Sequence, residues 1–541
     1  MIKKNSFRFY LFSLDSSYYC YDCFTNKIYE VDQVLFEYIK REDIKMIKEK
    51  YVFFYKKVIL KKEITKRQVL KCNKKSFHDE KCCVTLDFSN NCNMDCKYCY
   101  RNKYEKSKLK KEDFDKILDY IKNKYFPSAK EYSFSLGYTS ESSLDLDDLI
   151  YFDSLIAKNE GYLFEYNDFS LKKLIQIFNY LPKKITQKYS NKNFNNKKTI
   201  VLVLNDILCK EKLWNHYNYR QNSYIASLLN FTQTPSLSKT VVINRQILND
   251  NFKKFNIKKN IAYMSMSFMT NGTAVTSKFI DFIKSIYMTE IWVSIDGPKI
   301  IHNSSRLLKN GSGSFEKTIE GIELLQRNSI LVNASVVINP VFTDLLQITN
   351  FLISKNLQKI SISLPRGKYL EDNFSKKTID SILDSIILIY KQIENELKNE
   401  ENKTLFALKS NAFLYKAKDI VNNKYVASRC YWGKEVVIDA NGNWYHCNST
   451  VGNEKDNCGS IKKGVKIQKI KRQKTLLDYE RCKNCTVKYL CGGLCYADEI
   501  NGYKDSQFLE CYYRKSMFKN LIIFIAQLKR KNLLSKFIKQ L

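Results

Sequence analysis

The sequence predicts an α/β protein built on a parallel sheet, with its functional site at one edge of that sheet. Strand-like apolar runs alternate with stretches of helical periodicity through the middle of the chain. Alternation of this kind makes the strands parallel and places the site at their carboxyl ends. Two groups of closely spaced cysteines, one before this region and one after it, indicate metal or redox chemistry.

The composition is that of a large globular protein. Its 541 residues suffice for about three or four domains, and 44% of them are apolar and 27% charged. Glycine and proline number only 16 and 6, which excludes collagen-like and linker-rich classes. The sequence has neither an apolar run of about 20 residues nor a recognisable signal peptide. We therefore expect no transmembrane segment and a cytoplasmic location.

The formal net charge of +34 raises the question of nucleic-acid binding. Lysine far outnumbers arginine, whereas base recognition prefers arginine. A lysine-rich solvated surface is the favoured interpretation, and no nucleic-acid partner is expected. Such a surface would also attract an acidic peptide or an acidic redox partner.

The first cysteine group follows a predicted strand at residues 84–88. Cys92, Cys96 and Cys99 have the spacing C-x3-C-x2-C, and Tyr100 comes directly after them. Three thiolates on one loop can hold three irons of a [4Fe–4S] cube and leave the fourth iron for a small ligand. The alternative is a zinc knuckle that borrows its fourth ligand from elsewhere.

This pattern resembles the radical S-adenosylmethionine (SAM) superfamily. The resemblance implies that the free iron chelates the amino and carboxylate groups of SAM. It also implies that one electron cleaves SAM to methionine and a 5′-deoxyadenosyl radical, with Tyr100 near the adenine. The middle of the chain would then form a partial (β/α)6 barrel. Its predicted helix lies at 110–126, and its strands at 132–136, 263–270, 332–338 and 360–364, with a further strand and the start of its following loop at 291–298.

Three further residues are assigned to SAM binding by the resemblance. Residues 137–143 stand where the family has Gly-Gly-Glu-Pro, and only the carboxylate of Glu141 is kept. Ser294 and Arg306 match family positions that contact SAM. An ordinary loop carboxylate is the alternative interpretation of Glu141.

The second cysteine group has the spacing C-x11-G-x4-C from Cys430 to Cys447 and C-x2-C-x5-C-x3-C from Cys482 to Cys495, and Cys511 follows. This pattern resembles the SPASM extension of radical SAM enzymes that modify peptides. The resemblance implies two auxiliary [4Fe–4S] clusters, an outer one and an inner one, and a pair of zinc ribbons is the alternative. The outer cluster would be held by Cys482, Cys485, Cys491 and Cys511, and the inner one by Cys430, Cys447 and Cys495. The fourth position of the inner cluster is either open or taken by Cys458. A hairpin turning at Asn441 and Gly442 is predicted beside Cys447.

These features predict five regions. Residues 1–75 contain three short strands and a helix start, similar to the winged-helix-like domain that binds leader peptides in ribosomal-peptide maturases; a plain cap on the barrel is the alternative. The others are the barrel at 80–370 with an insertion at about 157–258, a helical bridge at 371–428, the SPASM region at 429–515 and a C-terminal helix at 516–541.

The resulting hypothesis is a radical SAM/SPASM maturase acting on a ribosomally made, Cys-rich precursor peptide with a leader. Thioether crosslinks from sulfur to carbon are the expected product, because an open inner cluster could bind a substrate thiolate. An electron donor such as ferredoxin or flavodoxin is implied by the resemblance. The alternatives are an anaerobic sulfatase maturase that forms formylglycine and a zinc-binding nucleic-acid protein.

Overall fold

The computed structural model describes thirteen stretches of the chain. They are residues 8–63, 81–100, 106–127, 129, 131–137, 140–159, 164–165, 240–241, 263–285, 288–426, 428–429, 435–466 and 475–541. The predicted insertion at 157–258 lies outside the described residues, except for 157–159 and two short strands. These strands, Phe164–Glu165 (β6) and Thr240–Val241 (β7), pair antiparallel.

The amino-terminal region is a three-stranded antiparallel sheet covered by helices. Its elements are Phe9–Leu14 (β1), Ser17–Asp22 (β2), Lys27–Val31 (β3), Gln33–Lys40 (α1), Ile44–Lys50 (α2), Val52–Phe54 (α3) and a π-helical turn at Tyr55–Ile59. Successive side chains of β2 point to opposite faces. Tyr19 and Tyr21 therefore join the main core of the protein, whereas Cys20 packs into the small core under the helices. The predicted three strands and helix are confirmed.

Eight strands form the main sheet, in the order β11-β10-β9-β8-β5-β4-β12-β13. The strands from β11 to β12 are parallel, and each contributes buried apolar side chains to one continuous core. Their bounds are Lys81–Leu86 (β4), Glu131–Leu136 (β5), Tyr263–Thr270 (β8), Met288–Ser294 (β9), Val332–Val337 (β10), Ile360–Ser363 (β11), Glu435–Ile438 (β12) and Trp444–Tyr445 (β13). The predicted α/β fold with a parallel sheet is confirmed.

Amphipathic helices follow the parallel strands and bury their apolar sides against the sheet. They are Lys111–Tyr120 (α4), Leu146–Asn159 (α5), Ser277–Ser285 (α6), Lys299–Ser305 (α7), Phe315–Arg327 (α8) and Leu345–Ser354 (α9). The helix predicted at 110–126 is α4, continued by a π-helical turn at Ile121–Tyr125.

The predicted hairpin at Asn441 and Gly442 is part of the main sheet. Its first strand, β12, pairs parallel with β4, and β13 returns antiparallel to β12. Gly442 has φ +78°, a left-handed conformation that glycine adopts without strain. The sequence showed the hairpin but not this pairing, because β12 reads equally well as a strand of a separate domain. The cysteine region is thereby joined to the barrel by backbone hydrogen bonds.

The remaining helices form a bridge and a carboxyl-terminal layer. They are Lys368–Asn373 (α10), Lys376–Lys398 (α11), Lys403–Leu408 (α12), Ala412–Val421 (α13), Glu480–Lys483 (α14), Lys488–Cys491 (α15), Tyr496–Asn501 (α16), Lys504–Arg530 (α17) and Leu534–Gln540 (α18), with a short hairpin of Gly459–Ser460 (β14) and Gly464–Val465 (β15). Among these and the other described helices, none is both long and apolar enough to cross a membrane.

The prediction of one C-terminal helix at 516–541 is wrong. The helix α17 begins at Lys504, twelve residues earlier, and ends at Arg530. Asn532 has φ +58°, which ends the regular helix before α18 begins at Leu534. The apolar side of α17 packs on the main core, with Phe524 stacked on Tyr390 at a centroid distance of 4.3 Å. Its basic side therefore belongs to a helix packed within the protein.

Candidate metal centres

The first cysteine group lies in the connection between β4 and α4, beyond the carboxyl end of β4. Backbone hydrogen bonds fix this loop to the segment that follows α7: Asp95 N–H donates to Leu307 O at 2.7 Å and Lys97 N–H to Ser305 O at 3.0 Å. Within the loop, Cys99 N–H donates to Cys96 O at 2.9 Å. These bonds fix the backbone that carries the predicted cysteines.

The loop after β8 supports Cys92. The side-chain amide of Asn271 lies 3.9 Å from Cys92 Sγ and donates to Asn93 Oδ1 at 2.8 Å. Two glycines allow this loop to pack closely on α8. Gly272 has φ +80°, and a Cβ on Gly321 would lie 2.0 Å from Gly272 O. The position of Asn271 thus depends on a close approach that only glycine permits.

Glu141 lies at the same edge of the sheet and is buried. Its carboxylate accepts hydrogen bonds from Asn271 N–H at 2.6 Å, from the Thr270 hydroxyl, and from the backbone N–H and hydroxyl of Ser143. Burial raises the pKa of this carboxyl, and the hydrogen bonds oppose that shift. Glu141 therefore holds the ends of two strands together beside the cysteine loop, whether or not it also contacts SAM.

Arg306 forms a buried network with two residues that the sequence analysis did not single out. Its Nε donates to Asp296 Oδ2 at 2.9 Å, and its guanidinium lies 5.2 Å from the Tyr98 ring centroid. The Tyr98 hydroxyl donates to the same Asp296 oxygen at 2.6 Å. Both residues could be found in the sequence: Tyr98 stands between two cysteines of the motif, and Asp296 lies in the predicted strand and loop at 291–298.

The remaining predicted residues surround this network. Ser294 is the last residue of β9, and its hydroxyl lies 3.8 Å from Met269 Sδ. Tyr100 is 41% exposed. Burial raises the pKa of the Cys96 thiol to about 12, and the charge of Arg306 only partly offsets that effect. The structure therefore gathers all the predicted residues of the first site on the carboxyl side of the sheet.

The second cysteine group lines a pocket formed by α14, α15, α17 and the residues between α15 and α16. Its sulfur-bearing residues include the four predicted outer ligands and one predicted inner ligand: Cys482, Cys485, Cys491, Cys511 and Cys495. Five basic side chains line the same pocket: Arg429, Arg481, Lys488, Arg514 and Lys515. A cubane with four thiolate ligands is an anion, so this basic setting fits it.

Two arginines in this region donate to cysteine sulfurs. Arg514 Nε lies 3.2 Å from Cys491 Sγ, and its Nη2 donates to Cys491 O at 2.9 Å. Arg366 Nη1 lies 3.0 Å from Cys495 Sγ. Burial alone would raise the pKa of the Cys491 thiol, but the charge and hydrogen bond of Arg514, together with the charge of Arg429, hold that pKa below its usual value. The cysteine spacings in the sequence do not predict either arginine.

The other predicted ligands of the inner cluster lie in different surroundings, and one of them is not described. Cys447 follows β13 and lies close enough to Arg366 for its charge to influence that guanidinium. Cys430 lies outside the described residues. Cys458 is buried, with its Sγ 3.3 Å from Asp456 O and 3.7 Å from His446 Nδ1. His446 in turn pairs with the Asp456 carboxylate at 2.6 Å, so Cys458 belongs to a polar cluster beside β13.

Similarity to a solved structure decides the fold. The structure of anSMEcpe with bound AdoMet has a TM-score of 0.51 to this chain at 15% identity, covering 85% of this chain and 98% of that one. This chain has the radical SAM fold. The family resemblance inferred from the cysteine spacings is thereby confirmed at the level of the fold.

Sequence similarity to other radical SAM proteins is partial. The radical SAM cyclopropyl synthase TigE of Paramaledivibacter caminithermalis is 23% identical over 271 residues, 47% of this chain and 53% of TigE. A serine-type anaerobic sulfatase-maturating enzyme of Bacteroides thetaiotaomicron is 39% identical over 70 residues, 13% of this chain and 17% of that enzyme. The matches thus span about half of TigE and a sixth of the sulfatase-maturating enzyme. No family model matches the chain.

Proposed function

We propose that this protein is a radical SAM enzyme that modifies a peptide substrate. The observation that carries the proposal is the three-cysteine loop at the carboxyl edge of a sheet with the radical SAM fold. When bound, a [4Fe–4S] cluster and SAM would supply reductive cleavage of SAM to methionine and a 5′-deoxyadenosyl radical. Cys92, Cys96 and Cys99 would hold that cluster, since all three thiols lie on one backbone-fixed loop.

The proposed SAM-binding residues divide by their burial. Ser294 and Tyr100 keep hydroxyl groups on the carboxyl side of the sheet, and Tyr100 is exposed there. Arg306 and Glu141 are buried and already hydrogen-bonded, to Asp296 and to Thr270 and Asn271 respectively. We assign Ser294 and Tyr100 to direct contact. For Arg306 and Glu141 we propose that they fix the loops on which SAM rests.

A peptide substrate fits the amino-terminal sheet. β1 lies against α17, where Lys519 Nζ is 4.7 Å from the Tyr10 ring centroid and Arg530 pairs with Asp15. β3 is the other edge of this sheet, and an extended leader peptide would add to it as a strand. Asn26, in the turn before β3, donates to Asp419 O at 3.1 Å and to Lys424 O at 2.6 Å. The sheet is thereby fixed to the segment that leads to the second cysteine group.

The proposed product is a thioether crosslink in a Cys-rich precursor peptide. For each crosslink the peptide carbon loses one hydrogen atom, the peptide thiol loses one proton, and one electron is left to be accepted. Auxiliary clusters held by the second cysteine group would accept it, and ferredoxin or flavodoxin would supply the electron for SAM. The net charge of +34 favours association with such acidic donors.

The test is anaerobic incubation of the reduced, iron-reconstituted protein with SAM and a small Cys-rich peptide encoded beside its gene. The proposal predicts that the peptide loses two hydrogen atoms per crosslink and that one cysteine per crosslink becomes resistant to alkylation. An unchanged peptide mass with full SAM turnover would contradict the thioether proposal. It would still support the proposed radical SAM activity.

Sulfatase maturation is the second candidate, and specific similarities favour it. Besides the serine-type enzyme, a cysteine-type anaerobic sulfatase-maturating enzyme of Clostridium novyi is 35% identical over 88 residues, 16% of this chain and 22% of that enzyme. Parallel reactions with sulfatase-derived peptides carrying Cys or Ser would decide between the candidates. Formation of an aldehyde on those peptides, with no change in the Cys-rich peptide, would favour sulfatase maturation.

A further inference from the structure

The two arginine–sulfur contacts of the C-terminal region fall on two cysteines four residues apart. Arg514 contacts Cys491, and Arg366 contacts Cys495. In the proposed ligand assignment, Cys491 belongs to the outer cluster and Cys495 to the inner one. Each auxiliary cluster would therefore receive one guanidinium N–H on a ligating sulfur.

The two arginines come from different parts of the fold. Arg514 lies on α17, three residues after Cys511, and is held by its second bond to Cys491 O and by the Phe518 ring, 5.3 Å from its guanidinium carbon. Arg366 lies in the loop after β11, at the carboxyl edge of the main sheet. It thus reaches from the barrel side of the protein to the sulfur of Cys495, and it is exposed.

Two carboxylates lie beside one of these contacts: Asp498 and Glu510 each place an oxygen within 4.8 Å of Cys495 Sγ. Glu510 also pairs with Arg429, so the carboxylates near Cys495 are opposed by Arg429 as well as by Arg366. Reduction adds a negative charge to a cluster that is already anionic. A positive charge and an N–H donor at a ligating sulfur therefore stabilise the reduced form more than the oxidised form.

We propose that Arg366 and Arg514 are positioning residues that raise the reduction potentials of the inner and outer auxiliary clusters, one arginine for each cluster. This inference deepens the proposed function and rests on it, since it requires both clusters. A raised potential suits clusters that accept an electron, in contrast to the cluster that must reduce SAM.

The test is a redox titration of the reconstituted holoenzyme followed by electron paramagnetic resonance, with R366Q and R514Q compared with the wild type. Each variant should lower the potential of one auxiliary cluster and leave the other unchanged, and the two variants should affect different clusters. R366K and R514K, which keep the charge, should restore most of the potential. Unchanged potentials in both glutamine variants would overturn the inference.

The matched control is R481Q. Arg481 lines the same pocket, with its guanidinium carbon 5.9 Å from the Phe508 ring centroid, so this variant removes an equal charge at a different place. The shift in R481Q should be smaller than in R514Q. An equal shift would overturn the role of the hydrogen bond to sulfur.

Iron and sulfide contents keep this test separate from that of the proposed function. A wild-type protein without auxiliary clusters would contradict the proposed ligand assignment itself. Clusters present with unshifted potentials would contradict only the role of the two arginines. If a glutamine variant loses iron, the corresponding lysine variant carries the comparison: a small lowering of the potential of the same cluster alone would support the inference, and a potential and a resonance line shape both identical to those of the wild type would overturn it.

Discussion

The two cysteine sites of this protein differ in how charge surrounds their sulfurs. At the first site Arg306 is already paired with Asp296, and the carboxylate of Glu141 lies among the nearby groups. Burial raises the pKa of Cys92, and the negative charge of Glu141 raises it further. At the second site, burial raises the pKa of four cysteines, but Arg514 together with Arg429 holds the pKa of Cys491 below its usual value.

This difference matches two different tasks for iron–sulfur clusters. A cluster whose positive neighbour is already paired with a carboxylate is a stronger reductant, which is what cleavage of SAM requires. A cluster facing arginines accepts electrons more readily. Clusters with cysteine ligands can therefore both donate the electron that cleaves SAM and accept the electron left on the product, because the surrounding charges set their reduction potentials.

Removing one site at a time should give the largest effects. The variant C92A/C96A/C99A should lose about four irons and all SAM cleavage, because no other described cysteine lies on that loop. The variant C482A/C485A/C511A should lose about four irons and retain SAM cleavage. Iron analysis and assay of 5′-deoxyadenosine check both. Loss of SAM cleavage in the second variant, with the protein folded, would contradict the division of tasks.

The sequence predicted much of this arrangement, for identifiable reasons. Cysteine spacing located both sites, and alternating apolar residues located β4, β5 and β8 to within a few residues. The pairing of β12 with β4 and the contacts of Arg366 and Arg514 were not predictable, because each joins segments far apart in the chain. A single arginine carries no periodicity or spacing that would mark it.

Replacing Glu141 by glutamine tests the carboxylate of the first site. A neutral side chain loses charge-assisted hydrogen bonds from Thr270 and Asn271, each worth about 1.5–3 kcal/mol. We expect SAM affinity to fall roughly 10- to 100-fold by equilibrium binding to the reconstituted protein. The control is D145N, which alters another buried carboxylate that accepts from Ser89. Equal losses in both variants would show a general effect on folding.

Replacing Gly321 by alanine tests whether the first site depends on the close packing of its loops, a property that does not involve charge. G321A would place a Cβ 2.0 Å from Gly272 O, so the loop that carries Asn271 must shift. We expect a loss of about 1–3 kcal/mol in the free energy of unfolding, together with weaker SAM binding. The control, G311A, meets no atom within 4 Å, although the φ of +81° at Gly311 strains any side chain. It should lose some stability and leave SAM binding unchanged.

The pH dependence of the free energy of unfolding should show that the buried His302 near the first site resists protonation. Burial and then the charge of Arg306 lower the pKa of His302 to about 3, from an ordinary value of 6.5. Above pH 6.5 neither state binds this proton; as the pH falls from 6.5 towards 3, only the unfolded state does, so stability is lost. Urea unfolding should show a loss of about 1–2 kcal/mol between pH 7 and pH 5 that is absent in H302Q. An identical pH profile in both proteins would contradict this assignment.

The most direct test of the account is SAM cleavage by anaerobically purified, reconstituted protein whose iron, sulfide and zinc have been measured. Under strong reductant, the account predicts iron and sulfide in near-equal amounts and release of 5′-deoxyadenosine with methionine. Stoichiometric zinc in place of iron, or iron-loaded protein that leaves SAM intact, would contradict it.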